Sequence, residues 1–354
     1  MKTTKTLMTL LTGALLSTAA YAQVEVTITG STSFRAITID RAASLYDAGY
    51  SAVTNDASTG LITFSGTMTG KIPSLGATPV KLRLSFSGSA SGMLAVKNLT
   101  QVPTADSPGV NVNKTPDLAL SDVYPGSATP PIPSSAFDPD IQLGVIPFVY
   151  VKNNALTGIT NITREQAVLL MTASGVGGMP ATFLGGSSSS PVYMIGRDSG
   201  SGTRITVEKD LRFVGTPILW GTNGAGAYVQ NGGYSSGGLE RNVIAGKGDA
   251  IGYLGRADLA AIAASASAIS YDGVAYSPAN VQSGSYAMWG YEHIFNRASG
   301  LSPNQALVKN ALVAAITDAT YQTSNPLYTV SFEALSLMHV GRGADGGDIF
   351  SLDF

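Results

Sequence analysis

Apolar and polar residues alternate along Val24-Glu25-Val26-Thr27-Ile28-Thr29, which is the two-residue period of a strand. The alternation returns at Val80–Phe86. Apolar runs at Pro116–Leu120, Ile141–Val151, Val192–Ile195 and Asp249–Leu254 predict further strands, and another is predicted near Ala268–Ala275. Helical spacing predicts helices from Ile37 to about Ala48 and over Met93–Leu99, Ala167–Met171, Ile205–Leu211 and Leu239–Ala245. Two more are predicted near Pro303–Thr317 and Phe332–His339. Asn161 or Thr163 is placed to cap the third of these. Tyr50–Gly76 reads as an irregular hairpin and Pro103–Asn113 as a polar excursion. Tyr124–Pro139, which holds many of the prolines, reads as an exposed loop. Leu219–Gly238 reads as a flexible, Gly-rich surface, and Gly284-Ser285-Tyr286 as a turn. Strands alternate with helices through most of the chain, so the fold class is α/β.

Three strands run into short loops of Gly, Ser and Thr that lead into helices. These are Gly30-Ser31-Thr32-Ser33-Phe34-Arg35, Gly88-Ser89-Ala90-Ser91-Gly92 and Gly196-Arg197-Asp198-Ser199-Gly200-Ser201-Gly202-Thr203-Arg204. A fourth strand ends at Ser121-Asp122. In open α/β sheets ligands sit beyond the carboxyl ends of the strands. A helix start offers free N–H groups and a partial positive charge. A guanidinium adds a fork suited to oxyanions. If the four turns converge, they build an anion cradle with one cation, Arg197, and one carboxylate, Asp122. Taken singly, each residue has a plainer role. Ser33, Ser91 and Ser201 are ordinary caps or turn residues, Asp122 a turn former, and Arg197 with Asp198 a surface ion pair.

The first residues add a basic start, an apolar stretch from Leu7 and a small-x-small site at Ala20-Tyr21-Ala22. Residues 1–22 therefore read as a signal peptide cut before Gln23, and the protein as exported and soluble. With Lys2 and Lys5 removed the formal charge falls from −2 to −4, which argues against nucleic acid as a partner. No cysteine is present, so disulfides and thiolate metal sites are excluded, and no lipid anchor can form on a new N-terminal Cys. The two histidines, His293 and His339, lack a second ligand at helical spacing, so neither a metal nor a cofactor is expected.

The four turns resemble, in order, those of the type II periplasmic binding proteins, and within them the phosphate-binding subunits of ABC importers. Gly30-Ser31-Thr32-Ser33-Phe34 is similar to the family's first phosphate loop, Ser91-Gly92 to its second, Ser121-Asp122 to its site carboxylate, and Arg197 with Ser201-Gly202-Thr203 to its Arg and Ser-Gly-Thr loop. The resemblance implies phosphate ligands at Ser33, Phe34, Ser91, Asp122, Arg197, Ser201, Gly202 and Thr203. Gly248–Tyr253 and Ser283–Trp289 resemble two further family segments. Two departures stand out. Arg35 replaces the usual Pro after Phe, and either enters the pocket or faces solvent. Ser199 replaces the Asp that pairs with the site Arg in many members.

The resemblance also implies two lobes, residues 23–148 with 255–354 and residues 149–254, joined by hinge strands near Pro147–Val151 and Tyr253–Arg256. It implies a monomer in the periplasm that carries phosphate to a transporter permease, without membrane insertion. No nucleophile elbow, Walker loop or candidate base supports an enzyme. A phosphate sensor or scavenger without a transporter is the alternative, as is a binder of another tetrahedral oxyanion. Phosphate still carries a proton near neutral pH, and Asp122 can accept it. Sulfate has none to give and would meet like charge.

Overall fold

A computed structural model describes residues 22–57, 60–172 and 178–353. The expected signal peptide, apart from Ala22, lies outside the described residues. Among the described residues eleven strands form one mixed sheet. In chain order they are β1 (Val24–Gly30), β2 (Ser51–Asp56), β3 (Leu61–Gly66), β4 (Val80–Ser85), β5 (Leu118–Ser121), β6 (Ile141–Asn153), β7 (Met179–Pro180), β8 (Pro191–Met194), β9 (Ala250–Gly255), β10 (Ala266–Ala268) and β11 (Trp289–Asn296). Their spatial order is β7-β8-β9-β6-β11-β5-β1-β4-β3-β2, with β10 also paired to β6. β1 runs parallel to β4 and β5, and β8 parallel to β9, while β6 and β11 are antiparallel to their neighbours.

The 13-residue β6 joins two halves of this sheet. Ile141–Pro147 pairs with β11 on the first half, and Phe148–Lys152 pairs with β9 on the second. Pro147 faces Trp289 at the changeover, where one missing N–H costs least. Helices α1 (Arg35–Ala43) and α2 (Ser89–Asn98) follow β1 and β4 in the first half. Helices α3 (Arg164–Thr172), α4 (Gly202–Asp210) and α5 (Gly237–Gly246) belong to the second. The short α6 (Arg256–Ala260) follows β9. One core cluster runs through both halves, from Val26, Ile28 and Leu82 to Tyr253, Ile251 and Met194.

Several expectations are corrected. α1 stops at Ala43 rather than near Ala48, because Leu45 and Tyr46 turn back with bonds to the carbonyls three residues earlier. The Tyr46 hydroxyl then ties to Phe64 and Val80. α2 starts at Ser89, so Ser91 and Gly92 lie on its first turn and not in a loop. Gly92 is needed there: a Cβ would stand 2.5 Å from the Gly30 Cα. The polar excursion is a hairpin, Val102–Ser107 with Val110–Lys114. Tyr124–Pro139 is exposed only in part: Pro130, Pro131, Pro133 and Pro139 face solvent, but Pro125, Ala128, Ile132 and Phe137 are buried, the last three in a small cluster with Met93 and Val96 of α2. The strand expected over Ala268–Ala275 is two short pieces, β10 and Ser270–Tyr271. Phe332–His339 is not an α-helix, because Glu333 instead exchanges backbone hydrogen bonds with Val145. β11 has no counterpart among the predicted strands. All eight of its residues are buried, including Glu292 and His293, so it shows no alternation to read. Among the described residues no helix is long and apolar enough to cross a membrane.

Candidate functional site

The carboxyl ends of β1, β4 and β5 meet in the first half. Gly30 closes β1 with φ +112°, and a Cβ there would lie 2.0 Å from the Leu120 carbonyl oxygen. Glycine is the residue that permits both the backbone conformation and the contact. The chain beyond it brings Ser31 onto Asp122, whose Oδ1 accepts from the Ser31 hydroxyl. Asp122 Oδ2 lies 3.5 Å from Ser33 Oγ. The Asp122 amide donates to Ser89 Oγ at 3.2 Å. Asp122 is only 2% exposed, so these donors replace the water it loses. Phe34 turns its side chain away from this place. Its ring is in the core, edge-on to Phe332, and its amide donates to Ser31 Oγ at 3.2 Å.

In the second half β8 leads into the Arg197 turn and α4. Ser201 is the N-cap, and its hydroxyl accepts from the Arg204 amide at 3.4 Å. That hydroxyl accepts from the helix and keeps its own O–H to donate. The amides of Gly202 and Thr203 have no intrahelical acceptor by helix geometry. Arg197 is 2% exposed and forms no surface ion pair with Asp198, whose Oδ1 accepts from the Gly200 amide. Its guanidinium is held by backbone instead. Nε donates to the Tyr234 carbonyl at 3.0 Å, and Nη2 to the Ser235 carbonyl at 3.0 Å and to Thr32 Oγ1 at 3.2 Å. No carboxylate pairs with Arg197 among the described residues, so its full charge remains for an anion. The segment expected to be flexible surface thus supplies the arginine's wall: Tyr234 forms a bridge with Arg197 after the hairpin Trp220–Thr222 with Tyr228–Gln230.

The two halves touch at these turns. Ser33 Oγ lies 3.4 Å from Thr203 Oγ1. The Ala90 amide donates to the Gly200 carbonyl at 3.1 Å. A Cβ on Gly202 would fall 2.4 Å from Ser89 Oγ and 2.8 Å from the Asp122 Cβ, and one on Gly200 would fall 2.2 Å from Ser91 Oγ. Ser33, Ser91, Asp122, Ser201, Gly202 and Thr203 are thereby brought to one place, with the Phe34 amide beside them, and Arg197 is tied to the same first loop through Thr32. The N-terminal ends of α1, α2 and α4 also meet there, each with a partial positive charge. Ser121 ends β5 and Asp122 follows it directly.

Residues missed in the sequence reading stand behind these groups. Ser31, Ser89 and Thr32 belong to the loops already singled out, but Glu292 and Glu240 do not. Glu292 is fully buried on β11 next to Asp122, with Ser31 and the Ser121 backbone also within reach of its carboxyl group. Burial, and then the negative charge of Asp122, pushes its pKa well above the ordinary glutamate value. Glu240 of α5 is also fully buried; its Oε1 accepts from the Tyr253 amide at 3.3 Å. Burial raises its pKa strongly, with the charge of Arg197 acting the other way. His293 is a structural histidine: it is fully buried, and its Nδ1 lies 2.8 Å from Asp140. His339 is exposed and lies 2.9 Å from Asp353. Among the described residues no three His, Asp or Glu side chains are grouped to hold a metal.

This is the fold of the type II periplasmic binding proteins, with the convergent turns at the place where the two halves of the sheet meet. Solved structures carry the same fold. One from Clostridium perfringens, described as a phosphate ABC transporter substrate-binding protein with bound phosphate, aligns with a TM-score of 0.56 and 16% identity over 88% of this chain and 99% of that one. An ABC-type phosphate transport receptor from Vibrio cholerae gives 0.54 and 14% over 87% and 99%. A human phosphate-binding apolipoprotein gives 0.53 and 12% over 88% and 91%. No family model matches the chain. No curated protein matches it by sequence.

Proposed function

We propose that this protein binds inorganic phosphate between its two halves and delivers it to an ABC transporter permease. The halves are then two lobes, residues 23–148 with 255–354 and residues 149–254, moving about β6 near Pro147–Val151 and the end of β9 near Tyr253–Arg256. The observation that carries this reading is the Ser33 hydroxyl, which lies within 3.5 Å of the Asp122 carboxylate and 3.4 Å of Thr203. One hydroxyl thus spans the acid of one half and the arginine turn of the other. The ligands are Ser33, the Phe34 amide once it turns from Ser31 Oγ, Ser91, Asp122, Arg197, the Ser201 turn, and the amides of Gly202 and Thr203. Arg197 and the helix amides supply charge-assisted donors, each contributing about 1.5–3 kcal/mol. Asp122 accepts the proton that phosphate still carries. The site has donors and an acceptor for a bound anion and no activated nucleophile, so the role is carriage rather than catalysis. The structural likeness to the Clostridium perfringens and Vibrio cholerae proteins supports transport. The likeness to the human apolipoprotein favours a second reading, phosphate capture without a transporter.

Calorimetry on ligand-stripped protein from Gln23 onward tests the binding reading. Phosphate and arsenate are expected to bind, and sulfate at least about tenfold more weakly. Asp122→Asn is expected to narrow that gap, because the amide can donate to a fully ionised oxygen. Equal affinity for sulfate and phosphate in the unmutated protein would defeat the role given to Asp122.

A further inference from the structure

A cavity of about 300 Å³ adjoins the Arg197 turn. Thr32 and Ser235, whose oxygens hold Arg197 Nη2, also line it. Arg35 reaches it from the first half and Arg241 from α5 of the second, with Ser87, Ser236 and Asn242 around them. None of its lining residues carries a carboxylate. The first turn of α5 opens onto it as well, since Ser236 is that helix's N-cap and Gly238 is part of the wall. Arg35 therefore neither enters the cradle nor simply faces solvent. Its Nη1 is buried without a hydrogen-bond partner among the described residues. Burial lowers its pKa, and the charges of Arg241 and Arg197 add to the effect, against Asp258 and Asp56. Arg241 pairs with Asp258 at 2.7 Å, outside the lining. Two guanidinium groups, one from each half, thus face a space at the small end of ligand-pocket size, and a third, Arg197, is bonded to its Thr32 and Ser235 wall. Bringing like charges together costs free energy unless an anion repays it.

We propose, resting on the phosphate-binding reading above, that this cavity takes a second anionic group, so that the preferred ligand is a two-headed anion with a phosphoryl group in the cradle and a phosphate or carboxylate between Arg35 and Arg241. The chemical class is a condensed phosphate or a short phosphorylated acid. Inorganic phosphate fills only the first position. A second group held by a guanidinium and a helix N-terminus adds charge-assisted bonds that the smaller ion cannot make.

Calorimetry with inorganic phosphate, pyrophosphate and phosphonoacetate, on the unmutated protein and on Arg35→Gln and Arg241→Gln, tests this. The unmutated protein is expected to bind one of the two-headed anions roughly tenfold or more tighter than phosphate, the gain of one charge-assisted contact. Both variants are expected to erase that preference while keeping phosphate affinity within about threefold, which also reports that they fold. Phosphate binding with no preference for either two-headed anion would overturn the second position and leave the cradle standing. An equal loss for all three ligands in both variants would overturn it too, since the arginines would then act on the cradle itself. Failure of all three to bind the unmutated protein would overturn the phosphate reading along with it.

Discussion

The wall around Asp122 and the wall around Arg197 meet the same problem by opposite means. A buried carboxylate needs donors, and the first half supplies them from side chains, the hydroxyls of Ser31 and Ser33. A buried guanidinium needs acceptors, and the second half supplies them mostly from the main chain, the carbonyls of Tyr234 and Ser235. Hydroxyls and carbonyls are neutral, so neither site charge is cancelled by its own support. Where an acidic partner two residues after the arginine would neutralise it, this chain has Ser199 and keeps the charge. Each site charge is also backed by a glutamate with no exposed surface, Glu292 or Glu240.

The sharpest way to break this comparison is to remove its positive side. Arg197→Ala leaves the Tyr234 and Ser235 carbonyls without their donor and an incoming anion without its guanidinium. Phosphate affinity is expected to fall by about a hundredfold or more, close to 3 kcal/mol, read by calorimetry. A loss under fivefold would mean that helix amides alone hold the anion. The next effect tests the contact between the walls. Gly202→Ala puts a Cβ 2.4 Å from Ser89 Oγ and 2.8 Å from the Asp122 Cβ, so the two walls cannot close fully. The same change removes a glycine from a helix, which favours folding by up to about 1 kcal/mol. Affinity is therefore expected to drop about tenfold while the melting temperature holds or rises. Unchanged affinity would show that the anion is held without this approach.

The two walls also differ in how visible they are in the sequence. Strand periodicity located β1, β4, β5, β8 and β9, and the hydroxyl-rich loops after them marked Ser33, Ser91, Asp122 and the Arg197 turn. Side-chain chemistry announces itself by residue type. The carbonyls that hold Arg197 do not, because every residue has one, and Leu219–Gly238 carried only the signal of abundant glycine. β11 was hidden for a related reason: a strand covered on both faces has no polar side, so Glu292 had no strand to be placed on. Tyr124–Pro139 misled in the other direction. Its exposed prolines mark turns, but Pro125, Ile132 and Phe137 between them anchor the segment in the core. Arg35 was left open between pocket and solvent because its direction depends on α5, which comes some two hundred residues later.

The remaining expected effect is one of stability rather than affinity, and it concerns the glutamate behind Asp122. Burial first, and the charge of Asp122 second, raise the pKa of Glu292 well above its ordinary value in the folded protein. In the unfolded chain it ionises near the ordinary value of 4.5. The folded state therefore binds more protons above that pH, so stability is fully present below about 4.5 and falls as pH rises toward the raised folded value. The loss approaches about 1.4 kcal/mol per pH unit for this one carboxyl. Glu292→Gln keeps the shape and removes the proton linkage. Its melting temperature is expected to decline less steeply than that of the unmutated protein between pH 5 and 8, by a few degrees across the range. Glu240 contributes a slope of the same sign, because it too is buried with a raised pKa, and it remains in the variant. Identical pH profiles for the two proteins would mean that Glu292 is ionised beside Asp122. The first wall would then carry two negative charges, and a neutral proton donor behind the carboxylate would have to be abandoned.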